Sequence, residues 1–236
     1  MTGNRIDTAH GLFQKALSAG IEGAAADERA AYDEIITRFS DCEDPEVRRL
    51  VAKALLNKGV ICAQGIRFDE ARAVFDDVIE RYAGTTDPEL QLRVAAALVN
   101  RGVVLTQQGK IEDALAACDA VFQRFGTSAE PALKEQVAKA LLNKGTALGR
   151  QGRAADERAV YDEVVRHIGD ASETTLKVQV ARALFSKATT FARQMRLEEA
   201  NRIYDEIIAR FGSAEEPELK EQVSRVPADR GVSYHF

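Results

Sequence analysis

Asn57-Lys58-Gly59 returns as Asn100-Arg101-Gly102 and as Asn143-Lys144-Gly145, each copy 43 residues after the last, and fades to Ser186-Lys187-Ala188 at the next step. Two unrelated landmarks keep the same interval. Pro45, Pro88, Pro131 and Pro217 share one register, with Thr174 in the vacant slot; Arg38, Arg81, Arg124, His167 and Arg210 share another. A chain made of copies of one short unit folds by stacking them, because a single unit cannot bury its own apolar face.

Each copy reads as two helices. The first begins after an acidic or small polar residue with Pro in its first turn, as in Asp44-Pro45 and Asp87-Pro88. Asp caps the exposed N–H groups, and Pro has no N–H to leave unpaired there. This helix is expected to run from Pro45 to near Gln64, followed by a turn of the kind that holds Gly23, Gly109 or Gly152. The second helix places Ala71, Phe75, Val78, Ile79 and Tyr82 on one stripe. It closes on a cation and a Gly, as in Arg124-Phe125-Gly126 and Arg210-Phe211-Gly212. The cation suits the helix dipole, and the Gly is expected as a left-handed cap. Gly59, Gly102 and Gly145 fall inside first helices, where Gly costs about 1 kcal/mol against Ala. Close approach of a neighbouring helix is the expected return, with Leu55, Gly59 and Cys62 facing inward and Leu105, Leu148 and Phe191 in the Cys62 slot. The last copy has a first helix only, with Pro227 inside it, which predicts a bent or shortened end.

These residues resemble the tetratricopeptide repeat family. Its pattern reads here as Leu55, Gly59, Cys62, Ala71 and Phe75, and in the next copy as Leu98, Gly102, Leu105, Gly109, Ala114 and Cys118. The likeness runs from about residue 6 to 231. It implies an all-α fold, a right-handed superhelical solenoid of antiparallel helix pairs. About five repeats are expected, at 6–43, 44–86, 87–129, 130–172 and 173–215, with a terminal helix over 216–236, all in one domain spanning 1–236. The unit is 43 residues where the family's usual one is about 34, similar to the long repeats of kinesin light chains. Glu28 and Glu157 stand where the family places a second-helix Ala, so looser packing is expected in the first and fourth copies.

Steps of one helical face from Asn57 reach Lys53, Val60 and Gln64. The equivalent sets are Ala96, Asn100, Val103, Gln107; then Lys139, Asn143, Thr146, Arg150; then Arg182, Ser186, Thr189, Arg193. In similar proteins this face lines a groove whose Asn side chains hold the backbone of an extended peptide. An amide suits that task because it offers a donor and an acceptor together. The candidate peptide-binding residues are therefore Lys53, Asn57, Gln64, Asn100, Gln107, Lys139, Asn143, Arg150, Arg182 and Arg193. The alternative is that the Asn residues bridge helices within the fold. The cations, joined by Arg225, and the lack of acidic residues in these slots predict a locally positive groove that favours acidic segments; a solvated face without a ligand is the alternative. The slot before each Asn holds Phe13, Leu56, Val99, Leu142 and Phe185, where the family's carboxylate clamp would have Lys, which argues against chaperone C-terminal tails. A second cation ladder, Lys15, Lys58, Arg101, Lys144, Lys187 and Arg230, runs at the same period as the second-helix acids Asp33-Glu34, Asp76-Asp77, Asp119, Asp162-Glu163 and Asp205-Glu206 and reads as inter-helix ion pairs that fix register.

The formal net charge of −5 argues against a nucleic-acid partner. No apolar run suggests a signal peptide or a membrane span, so a cytoplasmic protein with no membrane partner is expected. Three cysteines, Cys42, Cys62 and Cys118, form no pairing or metal pattern; the last two fall on packing stripes. His10 and His167 sit in the slots of Lys53 and Arg81 and read as substituted cations. With no nucleotide, metal or catalytic motif, the chain is expected to be no enzyme, with no cofactor and no catalytic or metal-binding residues. A protein- or peptide-binding scaffold is the expected function. A self-assembling solenoid that stacks through its terminal helices, or a ligand or signal-peptide sensor, is the alternative.

Overall fold

The structure, a computed structural model, describes residues 2–227, with side chains from residue 5. Among the described residues there are eleven helices and no strand. They follow as pairs: α1 (Thr2–Ile21) and α2 (Ala25–Phe39), α3 (Pro45–Gln64) and α4 (Phe68–Arg81), α5 (Pro88–Gln107) and α6 (Ile111–Phe125), α7 (Pro131–Arg150) and α8 (Ala154–Ile168), α9 (Thr174–Arg193) and α10 (Leu197–Phe211), then α11 (Pro217–Ser224). The fold is all-α, built from the helix hairpins that the repeat implied. Asp44 accepts the N–H groups of Glu46 at 3.0 Å and Val47 at 3.2 Å, and Asp87 does the same for Glu89 and Leu90. Glu130, Glu173 and Glu216 occupy the same cap position without a side-chain bond.

The chain divides into two compact units, residues 1–117 and 118–236, the division falling within α6. In the first, α1, α3 and α5 pack side by side, with α2 against α1 and α3 and α4 against α3 and α5. Tyr32, Ile35, Val51, Phe75, Val78 and Val94 are buried between them. In the second, α7, α9 and α11 lie side by side, with α8 against α7 and α9 and α10 against α9 and α11. Val137, Val164, Leu176, Ile207 and Leu219 fill that core. The helical glycines mark the closest approaches. A Cβ on Gly59 would stand 2.8 Å from Cδ1 and 2.9 Å from Cζ of Phe75, and one on Gly145 would stand 2.7 Å from Cζ of Tyr161.

The second cation ladder forms ion pairs with the Asp 25 residues upstream: Lys58–Asp33 at 2.6 Å, Arg101–Asp76 at 3.3 Å, Lys144–Asp119 at 2.6 Å and Lys187–Asp162 at 2.5 Å. Each ties a first helix to the second helix of the preceding copy. Part-exposed pairs contribute about 0–1 kcal/mol each, so register rather than stability is what they set. Arg230 and His235 lie outside the described residues.

Three expectations are corrected. Gly212 is not left-handed (φ −63°), and Gly126 is not either. The left-handed slot is instead the turn inside each hairpin, filled by Gly23 (φ 75°), Gly109 (φ 75°) and Gly152 (φ 73°), and by Ile66 and Met195 at φ 60°. The terminal helix is shortened, stopping at Ser224, and the correction is that Pro227 follows it rather than lying inside it; residues from 228 lie outside the described residues. Finally, Glu28 and Glu157 do not loosen their copies. Each carboxyl packs against a glycine, Gly20 or Gly149, whose Cβ would lie 2.9 Å from the carboxyl carbon. The copies that carry Ala71 and Ala200 have Ala63 and Ala192 in that facing slot. Bulk has moved from one helix to the other, and Glu157 is 4% exposed.

Candidate functional site

In the first unit, α3 and α5 bound a cleft of about 210 Å³. Val60, Ala63 and Val103 line it above the buried ring of Phe75, together with Gln64, Asn100 and Gln107. Gln64 and Gln107 are exposed and Asn100 is half-buried. These three candidate residues are brought together as one surface because helical steps of three and four put them on the same face of successive first helices. Asn57 is differently placed. Its Nδ2 donates to the Tyr32 hydroxyl at 2.9 Å, so this amide bridges α3 and α2. Burial pushes the Tyr32 hydroxyl above its ordinary pKa, which keeps it neutral. In the following copies the Tyr32 slot holds Phe75, whose ring has no hydroxyl, and Cys118. Among the described residues nothing is hydrogen-bonded to the side chain of Asn100 or Asn143.

In the second unit, α7, α9 and the end of α11 bound a cleft of about 330 Å³. Arg150, Arg193 and Arg225 line it, with the hydroxyls of Thr146, Ser186 and Thr189. Arg193 Nη2 donates to Glu157 Oε2 at 2.6 Å and to Thr190 Oγ1 at 3.3 Å. The Tyr161 hydroxyl donates to Glu157 Oε1 at 3.3 Å, and its pKa is pushed up to about 12, by burial first and then by the Glu157 charge. The Arg225 guanidinium lies 4.3 Å from the centre of the Phe185 ring and donates to Gln222 Oε1 at 2.8 Å.

The remaining candidates stand apart from these clefts. Lys53 lies 3.5 Å from Glu89, and His10, in the same slot one copy earlier, lies 2.7 Å from Glu46. Lys139 pairs with Glu135 at 2.7 Å, and Arg182 donates to Gln179 at 3.4 Å. The expected acid-free face is thereby corrected. Carboxylates reach it from the first turn of the next first helix, from one turn back on the same helix, and from α8. Tyr32 and Glu157 are the site residues that the sequence reading missed. The one signal for Glu157 was its coincidence with Gly149, seen only when both slots are followed through every copy.

Cys62 and Cys118 are buried as expected, and Cys42 is half-exposed. Among the described residues no cluster of side chains could hold a metal ion, and no helix is long and apolar enough to cross a membrane.

Residues 29–88 and 67–129 match the family model described as Tetratricopeptide repeat. No curated protein matches the chain. Among solved structures, it is similar to a tetratricopeptide repeat protein from Parabacteroides merdae ATCC 43184, at 14% identity and a TM-score of 0.53, over 93% of this chain and 72% of that one. That likeness speaks to the fold. The TPR domain of P58(IPK) aligns at 14% identity and a TM-score of 0.39, over 93% of this chain and 65% of that chain.

Proposed function

From the tetratricopeptide repeats of residues 29–129, we propose that this chain is a scaffold that binds an extended segment of another polypeptide along the inner face of its first helices. It binds rather than catalyses. The observation that carries this is the cleft of the first unit, where Gln64, Asn100 and Gln107 stand beside Val60 and Val103. A main-chain peptide group needs a donor and an acceptor side by side, which each amide supplies. An apolar ligand side chain then packs on Val60 and Val103. Asn100 is the binding amide of this cleft; Asn57 is held by Tyr32 and steadies the wall. Charge selection belongs to the arginine-lined cleft of the second unit, not to the whole face.

The test is selection of linear peptides from a phage-displayed library on the wild-type chain. Affinity of a selected peptide is then measured by fluorescence polarisation. Asn100→Ala is expected to weaken it about tenfold, the worth of one lost amide contact of about 1.4 kcal/mol, with the melting curve unchanged. Asn57→Ala is expected to lower the melting temperature and leave affinity nearly intact. Peptides that bind equally well to wild type and Asn100→Ala would overturn the assignment.

A further inference from the structure

A loop joins each second helix to the next first helix, and side chains of the repeat tie that loop down. In the loop between α4 and α5, Gln91 Nε2 donates to the carbonyl of Thr85 at 3.1 Å. In the loop between α8 and α9, Arg210 reaches back from α10. Its Nη2 donates to the carbonyl of Gly169 at 2.7 Å, and its Nη1 to Glu206 at 3.2 Å. The loop between α2 and α3 has Arg48 in the slot of Gln91 and Arg81 in the slot of Arg210. Among the described residues, neither makes its tie. Arg48 lies over the Tyr82 ring instead, 5.8 Å from its centre. Arg81 turns to Asp77, which accepts from Nε at 3.1 Å and from Nη2 at 3.0 Å. Sister copies have Glu34, Glu163 and Glu206 in the Asp77 slot, each one methylene longer. The shorter acid draws the guanidinium back along α4, away from Ser40 in the slot of Gly169.

Without those ties a cavity of about 480 Å³ stands open between the loop, α3 and α4. Ser40, Asp41, Glu43, Arg48, Arg81 and Tyr82 line it. Asp77 neutralises Arg81. Among the described residues, Arg48, Asp41 and Glu43 have no ion-pair partner, although they share one cavity. A cavity lined by one sign of charge selects an ion of the other sign. This one presents both signs, and its opposite charges do not meet.

We propose that this cavity is a site for a small zwitterion, a molecule that carries a carboxylate and an ammonium together, as a free amino acid or a dipeptide does. Arg48 takes the carboxylate, since a guanidinium presents parallel N–H donors to its two oxygens. Arg81 keeps Nη1 for the same oxygens. Asp41 and Glu43 accept from the ammonium. A simple anion meets the repulsion of the two carboxylates, and a simple cation that of Arg48, so neither single charge suffices. Once bound, the molecule ties the loop to α3 and α4, as side chains do at the sister junctions.

The experiment titrates the full chain by isothermal calorimetry at constant ionic strength and neutral pH. The probes are the standard amino acids and their glycyl dipeptides, with acetate and methylammonium as single-charge controls. Saturable binding of a zwitterion, tighter than either control, is expected. Binding by the amino acids assigns a free amino acid, and binding by the dipeptides alone assigns a short peptide. Arg48→Gln, which installs the residue of the Gln91 slot, should weaken binding about tenfold or more through loss of a charge-assisted contact. Asp77→Glu keeps every charge of the lining but lets Arg81 reach the Ser40 carbonyl; it should also weaken binding. Both variants copy sister repeats, so their melting curves should match the wild type. Asp41→Asn/Glu43→Gln should erase the preference over acetate. No saturable binding of any zwitterion, binding of acetate equal to theirs, or binding undiminished in both Arg48→Gln and Asp77→Glu overturns the proposal. None of these residues lines the cleft between α3 and α5, so this test and the Asn100 test fail separately.

Discussion

Two glycines inside first helices should respond in opposite ways to the same methyl group. Gly11 is exposed in α1, and a Cβ added there meets nothing within 4 Å. Gly11→Ala should gain the helix-propensity difference, about 1 kcal/mol. Gly59 gains the same term, but its Cβ would press on three carbons of the fully buried Phe75 ring. A ring edge in a filled core cannot swing aside as a flexible side-chain tip can. Overpacking costs about 1–3 kcal/mol, and so rigid a neighbour puts this case near the top of the range. Gly59→Ala should therefore lose about 2 kcal/mol net, from roughly 3 of strain less 1 of propensity. For a chain of this length, that is a fall of about 4–8 °C in melting temperature, against a rise of about 2–4 °C for Gly11→Ala. Urea and thermal unfolding followed by circular dichroism will measure both. Phe75→Leu should cost stability alone yet cost less in the Gly59→Ala background, a coupling that a double-mutant cycle isolates. If both glycine variants gain stability equally, the close approach of α3 to α4 is not what keeps glycine in the repeat.

Other residues give shorter tests. Ile66→Gly and Met195→Gly should each raise stability by up to about 1 kcal/mol, since an L residue at positive φ costs about 1–2 kcal/mol and glycine gives part of that back as unfolded-state entropy. Their side chains are 75% and 73% exposed, so little packing is lost, and the β-branched Ile66 should gain more. Of the three thiols, Cys42 alone should react with a chromogenic disulfide in the native chain, and all three in denaturant, because Cys62 and Cys118 are buried. Burial raises those two thiols to about 11 and about 12. The folded state thus favours the neutral thiol. Its contribution is complete below the unfolded value of 9.0 and is lost as pH rises through the folded values. The melting temperature should fall between pH 9 and 12, less steeply in Cys118→Ala.

Most of the fold was legible because repetition multiplies weak signals. One Asp-Pro pair is a modest helix start; the same slot filled by Pro45, Pro88, Pro131 and Pro217 fixes where four helices begin. The interhelical pairs were legible for the same reason, a cation and an acid recurring 25 residues apart. The glycine caps were misread because Gly after a helix was given one meaning. Gly212 ends its helix right-handed (φ −63°), as Ser40 does in the same slot (φ −53°), and the turn that takes positive φ lies inside the hairpin, where Ile66 and Met195 conceal it.

The site was less legible in the sequence because one helix face carries only what that helix presents, and neighbouring helices bring further groups to it. Asn57 sits in register with Asn100, yet a Tyr on the preceding copy's second helix takes up one amide and a Phe leaves the other open. Lys53 and Arg193 are cations on the traced face, but Glu89 and Glu157 come from elements outside it. Charge on a repeat surface is therefore set by pairs of slots on different helices. Specificity arises where those pairs depart from the period. Glu157 shows this directly: its own slot suggested a packing defect, its facing slot at Gly149 showed accommodation, and only the added Arg193 turns the exchange into a charged cleft. A repeat protein keeps its fold in what recurs and acquires its ligand in what does not.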